Sequence, residues 1–557
     1  MKIVEKLFWL NQRKSLSALQ IMPLEKSNLS NKLLILLALG VFAVGLILFF
    51  QTFDHEQPTI VRETQLNTAP VEEEANVTYL DLEPVEIEQL LPGNAIVGER
   101  VIHFSSREAY LEYLERLSDL GLSPLSKVDS LLAIRVSTDA LSRLNPVVYG
   151  GEAQLSYRIE APLPPVEFNP ELLVRLSAFG VSAKSIVGEL GEGNGAGVLV
   201  AVLDSGIEDH SYFDDTSIHS MDLTDRGVSG AGAGHGTAVA SIIAGQEGVA
   251  PAADLLVIRV LDDQGVGSSF DVADGIVRAV DSGAQIINLS LGVYQDTQIL
   301  REAIQYAHSQ GVLLVAAAGN DGYDQLPYPA AYSQVLAVTA IDANDQHAVF
   351  PNQSKAIDLA APGVGILAAA EDNSRSSFSG TSAAAPFVTG TLAALLSVDS
   401  TLDMQTATNL LGRYLDEAGA VGVDSLYGAG LLNWDRLRER DTSTIDDVAL
   451  ASIYLPMDAQ PGTTMPIEVT VQNQGTTWIT AGKLEVIVGD AAPKGFTVGT
   501  LAPGQTTTRS VYTQIPSLYS EEVILIGARV LSENVESDVR PENNVKTVFF
   551  KPVRREN

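Results

Sequence analysis

Apolar and polar positions alternate along this chain in three ways, and each way predicts a different kind of element. Residues 33–50, LLILLALGVFAVGLILFF, are apolar throughout. At 1.5 Å per residue such a run crosses most of a bilayer core of about 30 Å, and with no polar face it predicts a membrane-spanning helix. It outlasts the apolar region of a cleavable signal, and the FFQTFDHEQ that closes it holds no A-x-A site. Residues 51–94 show no period, carry prolines at 58, 70, 84 and 92, and predict a disordered acidic linker. Period returns at residue 95. AIVGERVIHF reads as a strand, and Ser105 with Glu108 forms a capping box for a helix whose face is Tyr110, Tyr113, Leu114 and Leu117 and whose end is Gly121. LLAIRVS and TDALSRL then predict a second strand and helix, so that 95–169 is a small α+β domain ending in the proline-spotted YRIEAPLPPVEFNP.

Beyond Gly191, near-continuous apolar strands alternate with helical segments to about residue 435: VLVAVLD, TAVASIIAG, LLVIRVL, DVADGIVRAVDSG, IINLSLG, TQILREAIQYAHSQG, VLLVAAAGN and VLAVTAID. That pattern predicts an α/β fold with a parallel sheet covered on both faces, at 170–440. The glycines of GEGNGAG, 191–197, precede a strand instead of following one, which argues against a dinucleotide loop. From 446 to 552 short alternating stretches separated by Pro, Gly and Asn predict an all-β sandwich of about seven strands.

Charge sharpens this picture. Thirty-five Lys and Arg against 69 Asp and Glu leave −34, which repels phosphate backbones and excludes nucleic-acid binding as the main activity. Residues 1–32 carry six basic and two acidic side chains, a local +4 that places this tail in the cytoplasm and everything past the helix across the membrane. Cysteine is absent, so thiolate nucleophiles, thiolate metal sites and disulfides are excluded.

Four polar residues fall where a parallel sheet puts its ligands, at the carboxyl ends of strands. Asp204 closes VLVAVLD, Asn320 closes VLLVAAAGN, His235 in GAGAGHG lies between a glycine loop and a helix start, and Ser382 in SFSGTSAAAP opens another helix. A hydroxyl becomes a useful nucleophile when an imidazole takes its proton, and the imidazole needs a carboxylate to fix its tautomer. The developing oxyanion needs donors already in place, which the Asn320 amide and the Ser382 backbone N–H at a helix start can supply. Each residue alone also suits a cap, a turn or a packed loop.

VAVLDSGI, GHGTAVAS, IINLSLG, AAAGN, DLAAPG and GTSAAAP, in this order, resemble the subtilisin-like serine proteases, the subtilases. The resemblance implies a serine endopeptidase in which Asp204, His235 and Ser382 are catalytic and Asn320 is the oxyanion donor. It further implies that Ser290, Leu291 and Gly292 pair with a polypeptide substrate as an added strand. No cofactor is needed for that chemistry. Calcium is the one ion the resemblance leaves open: AGQEGVAP is too short for the family's inserted calcium loop, and Asp214 with Asp215, or Asp342 with Asp345, are turn carboxylates more readily than ligands. Ala383 stands where Met commonly follows the nucleophile, and Ala238 and Ser241 stand where His and Gly are frequent. The small domain at 95–169 is similar in position and pattern to the family's propeptide, an intramolecular inhibitor that is cut off, here somewhere between 157 and 170. VQNQGT with PENN resembles the CARDB type of immunoglobulin-like module. Two other activities fit the same residues, a silent binding scaffold and acyl transfer to an amine. A lipase elbow does not, because G-x-S-x-G is missing around Ser382.

Overall fold

The computed structural model describes residues 93–162, 176–188, 193–224, 227–229, 232–455, 463–514, 524–532 and 537–550. The expected membrane helix and cytoplasmic tail lie outside these residues, as does nearly all of the acidic linker.

The small domain comprises β1 (Glu99–Phe104), α1 (Arg107–Asp119), β2 (Ser126–Val128), β3 (Ala133–Ser137), α2 (Thr138–Arg143) and β4 (Gly151–Gln154), followed by the short β5 (Arg158–Glu160). Its antiparallel sheet has the order β2-β3-β1-β4. The N-cap of α1 is Ser106, not Ser105: its Oγ accepts from the Ala109 N–H at 3.2 Å. Glu108 therefore sits one position too early to reach back to the cap, and no capping box closes. Successive residues of β1 serve two cores. Ile102 and Phe104 pack with Tyr110, Tyr113 and Leu117 beneath the domain's own helices, whereas Val101 joins Val128 and Ala133 in the core of the next domain.

That domain runs through α3 (Ala183–Val187), β6 (Leu199–Asp204), β7 (Ile218–Asp222), α4 (Gly234–Ile243), β8 (Asp254–Arg259), β9 (Val266–Ser268) and α5 (Ser269–Asp281). It continues with β10 (Ile286–Leu289), α6 (Gln298–Ser309), β11 (Leu313–Ala317), β12 (Leu336–Ile341), β13 (Leu359–Pro362) and the hairpin β14 (Ile366–Ala370) and β15 (Ser374–Phe378). The helices α7 (Thr381–Val398), α8 (Met404–Arg413) and α9 (Trp434–Glu439) complete it. The sheet order is β13-β12-β11-β10-β6-β8-β7 and every pair is parallel. Along β6, Val200 and Val202 face one core while Ala201 and Leu203 face the other, which is why the strand is apolar without a break. Because β8 lies on one side of β6 and β10 on the other, the strand order reverses there, and the carboxyl end of β6 is the position where such sheets form a crevice.

Among the described residues α7 alone is long and apolar enough to span a membrane, but 89% of it is buried. It is a core helix, lying across β10, β11, β12 and β13.

The C-terminal module packs a three-stranded sheet against a four-stranded one. The first is β16 (Val448–Tyr454), β17 (Thr464–Asn473) and β20; the second is β18 (Gly482–Val488), β19 (Lys494–Val498), β21 and β22, where β20 is Thr506–Gln514, β21 is Ile524–Ser532 and β22 is Val545–Phe550. Its core is aliphatic, with Val469, Val471, Leu484 and Val530 among its members. The seam to the preceding domain is polar. Arg540 binds the Asp447 carboxylate at 2.6 Å and also reaches Glu439 on α9, and the Glu417 N–H donates to Gln472 at 3.1 Å.

Candidate active site

Asp204 ends β6 fully buried, and its Oδ1 accepts from the Ser205 N–H at 2.7 Å and the His235 Nδ1–H at 2.8 Å. His235 is the second residue of α4. The helix comes this close because Gly236 has no side chain: a Cβ there would lie 2.2 Å from the Gly206 carbonyl. Two further hydrogen bonds fix the approach, from the Gly236 N–H to Ser205 Oγ at 3.2 Å and from the Glu208 N–H to Thr237 Oγ1 at 2.8 Å. The Phe378 ring stands edge-on to the imidazole at 5.4 Å between centroids, limiting its rotation. Burial disfavours the charged imidazole, but the charge of Asp204 and the hydrogen bond to it prevail, and the pKa of His235 is raised above 6.5.

Ser382 occupies the first turn of α7. Its Oγ, His235 Nε2 and Asp204 Oδ2 are buried with no hydrogen-bond partner among the described residues. Orphaned buried polar atoms such as these are costly unless something binds them. Among the described residues no hydrogen bond joins the hydroxyl to the imidazole, as is common before a substrate tightens a site.

Asn320 stands just past the end of β11. Its Oδ1 accepts from both the N–H of Thr381 at 3.0 Å and its Oγ1 at 2.9 Å, and Thr381 Oγ1 in turn accepts from the Gly319 N–H at 3.1 Å. With the carbonyl end held by Thr381, the amide Nδ2 is left on the Gly380 side. Gly380 must be glycine, since its φ is 136° and a Cβ would fall 2.9 Å from that nitrogen.

Ser290 and Leu291 are fully buried. Ser290 Oγ donates to the Ser382 carbonyl at 3.3 Å and accepts from Asn288 Nδ2 at 3.0 Å, while Asn288 Oδ1 accepts from Thr389 Oγ1 at 2.9 Å. These bonds pin α7 to the end of β10. Gly292 offers only backbone, and the chain itself takes it up. Glu160 and Gly292 exchange N–H···O bonds of 3.1 and 2.9 Å, the Ala161 N–H donates to the Gly265 carbonyl at 3.0 Å, and β5 pairs antiparallel with β9. The tail of the small domain is therefore laid as an extended strand along the crevice, between β9 and Gly292. The rest of that domain docks on α5 and α6, with Arg135 bound to Asp271 at 3.0 Å and His103 3.0 Å from Glu302.

Of the carboxylates considered for a cation, Asp342 closes turns: it accepts from the N–H groups of Ser177, Asn344 and Gln346 at 2.9 to 3.1 Å. Sequence reasoning passed over Ser205, Thr381, Phe378 and Glu160. Ser205 and Thr381 were open to discovery, as hydroxyls adjoining residues already singled out. Phe378 and Glu160 act through contacts that chain proximity does not encode.

Residues 195–430 match the Subtilase family. The chain is 41% identical over 248 residues to the thermostable alkaline protease of Halalkalibacterium halodurans, covering 43% of this chain and 68% of that protein. It is 37% identical over 254 residues to subtilisin Savinase of Lederbergia lenta, with 43% of this chain and 90% of the relative covered. This chain belongs to the subtilase family. As a subtilase it is a subtilisin-like serine endopeptidase acting on polypeptide. The structure of the prenylagaramide maturation protease PagA is similar at 32% identity and a TM-score of 0.41, covering 45% of this chain and 97% of that one. Residues 446–548 match the CARDB family, so the subtilase carries the sandwich module as a second recognisable unit.

Proposed function

We propose that this subtilase is a membrane-anchored, exported endopeptidase that works through Asp204, His235 and Ser382 and carries its own inhibitor in the small domain. Ser382 Oγ attacks the scissile carbonyl carbon while His235 Nε2 takes its proton. Nε2 returns that proton to the leaving amine as the C–N bond breaks, and water then hydrolyses the acyl-enzyme by the same route in reverse. Asp204 holds the imidazole by Nδ1 and stabilises its charged form, and Asn320 Nδ2 with the Ser382 N–H receives the oxyanion. The observation that carries this reading is the 2.8 Å Asp204–His235 contact together with the buried and unpartnered Ser382 Oγ and His235 Nε2. The anchor is supported by 33–50 with its basic N-terminal flank. Inhibition is supported by the strand at 158–161 lying along the crevice. Severing the tail between 157 and 170 would separate the catalytic domain from the anchor.

The test compares the full-length wild type in membranes with Ser382→Ala, following chain length and labelling by a fluorophosphonate. The wild type should label and shed a shortened catalytic fragment, and the variant should do neither. A wild type that stays full-length and unlabelled would favour a non-catalytic binding scaffold.

A further inference from the structure

The register of the strand in the crevice can be continued by two residues. In an antiparallel ladder, pairs that exchange both backbone hydrogen bonds recur at every second residue. Glu160 with Gly292 is such a pair, so the next is residue 162 opposite Ser290. Ser290 Oγ donates to the Ser382 carbonyl at 3.3 Å, so the continued register leads residue 162 towards the turn that carries the nucleophile. That residue is Pro162, and it has no N–H to give the Ser290 carbonyl. Its ring also holds φ near −65°, far from the −140° or so of an antiparallel strand.

We propose that Pro162 makes the bond between residues 162 and 163 resistant to Ser382, so that the tail is held in the crevice as an inhibitor and not consumed as a substrate. This rests on the catalytic reading above. The hindered step is the one in which Oγ bonds to the Pro162 carbonyl carbon, the bond to the Leu163 nitrogen breaks, and the Oγ proton travels through His235 Nε2 to that nitrogen. Upstream the hold is complete: Ile159 is fully buried opposite Gly267, Glu160 is bonded twice, and Ala161 donates to Gly265. Binding that is strong away from the reacting carbonyl and loose at it stabilises the bound state without stabilising its transition state, which is how an inhibitor differs from a substrate. The cut that frees the catalytic domain then falls at another bond of the tail.

The full chain in membranes is compared as wild type, Pro162→Ala and Pro162→Tyr, with Pro162→Ala/Ser382→Ala as the silent control. The two single variants restore the N–H with different side chains, which separates the backbone effect from bulk. Intact mass and N-terminal sequencing follow the appearance of chains that begin at Leu163. Both single variants are expected to yield that end about tenfold or more faster than wild type, and the control not at all. Equal rates in the wild type and both variants, whether all are cut or none, overturn the proposal, as does a Leu163 end in the control. Fluorophosphonate labelling of the same samples keeps the two readings apart. Labelling with equal cleavage rates sinks the role of Pro162 alone, whereas no labelling of any Ser382 chain sinks the catalytic reading.

Discussion

Asn320 is held by its carbonyl end. Thr381 binds its Oδ1 twice, so the side chain is oriented by hydrogen bonds that a substrate does not have to make. Asn320→Ala should lower the acylation rate by about 10² to 10³ with little loss of folding. Stopped-flow acylation beside a melting curve checks this, and an unchanged rate would remove Asn320 from the oxyanion site. His235 has a raised pKa because of Asp204, and a general base must be neutral, so the acid limb of kcat/KM should lie above pH 6.5. Asp204→Asn deletes the charge that raises it. The limb should then move to lower pH and kcat should fall by about 10⁴; a pH–rate profile in which the limb stays put would contradict the assigned role. His347 is the opposite case. Burial beside Thr339 and Tyr427 lowers its pKa to about 4, so the unfolded chain binds a proton that the folded chain refuses. Stability should therefore fall as pH drops from about 6.5 to 4, by on the order of 3 kcal/mol, and His347→Gln should flatten that part of the curve in denaturant titrations.

Elements meet here through polar seams as well as apolar cores. The CARDB module joins the catalytic domain at Arg540, whose partners Asp447 and Glu439 lie on the two sides of the boundary. Asp447 is fully buried, and burial raises its pKa even with Arg540 and Asn543 beside it. Arg540→Ala should strand that carboxylate and cost about 3 kcal/mol. The loss should reach the catalytic domain, because α9 holds α7 through the 2.8 Å bond from Trp434 Nε1 to Thr391. Calorimetry should show both domains melting earlier in this variant, and an unaffected catalytic transition would mean that the modules are energetically separate. None of this seam was legible in the sequence. The strands β6, β10 and β11 were, since a strand buried on both faces announces itself as an apolar run, and so were the positions of Asp204 at the end of β6 and of Asn320 just past β11. What escaped was pairing between distant segments, such as β5 with β9 and Arg540 with Asp447. A strand of three residues whose partner lies a hundred positions away has no period of its own to detect. The N-cap of α1 was misplaced for a smaller reason: Ser105 and Ser106 are adjacent, and only the hydrogen bond to Ala109 distinguishes them.

For the whole molecule, the division of charge and the order of domains act together. If the chain is oriented as proposed, trypsin added outside sealed, right-side-out vesicles should digest sites beyond residue 51 and spare Lys2, Lys6 and Arg13 until detergent is added. Loss of those N-terminal sites in intact vesicles would reverse the topology. The strand held between β9 and Gly292 has a consequence for what the free enzyme can recognise. If the tail departs as proposed, both walls of the crevice are left as sheet edges whose donors and acceptors belong to the main chain, largely at glycines 265, 267 and 292. Such edges discriminate by conformation, accepting a polypeptide that can be drawn out straight and refusing one folded into a helix or a compact turn. On that footing the state of the substrate matters before its sequence does, and a protease so built acts first on unfolded or loosely tethered chains.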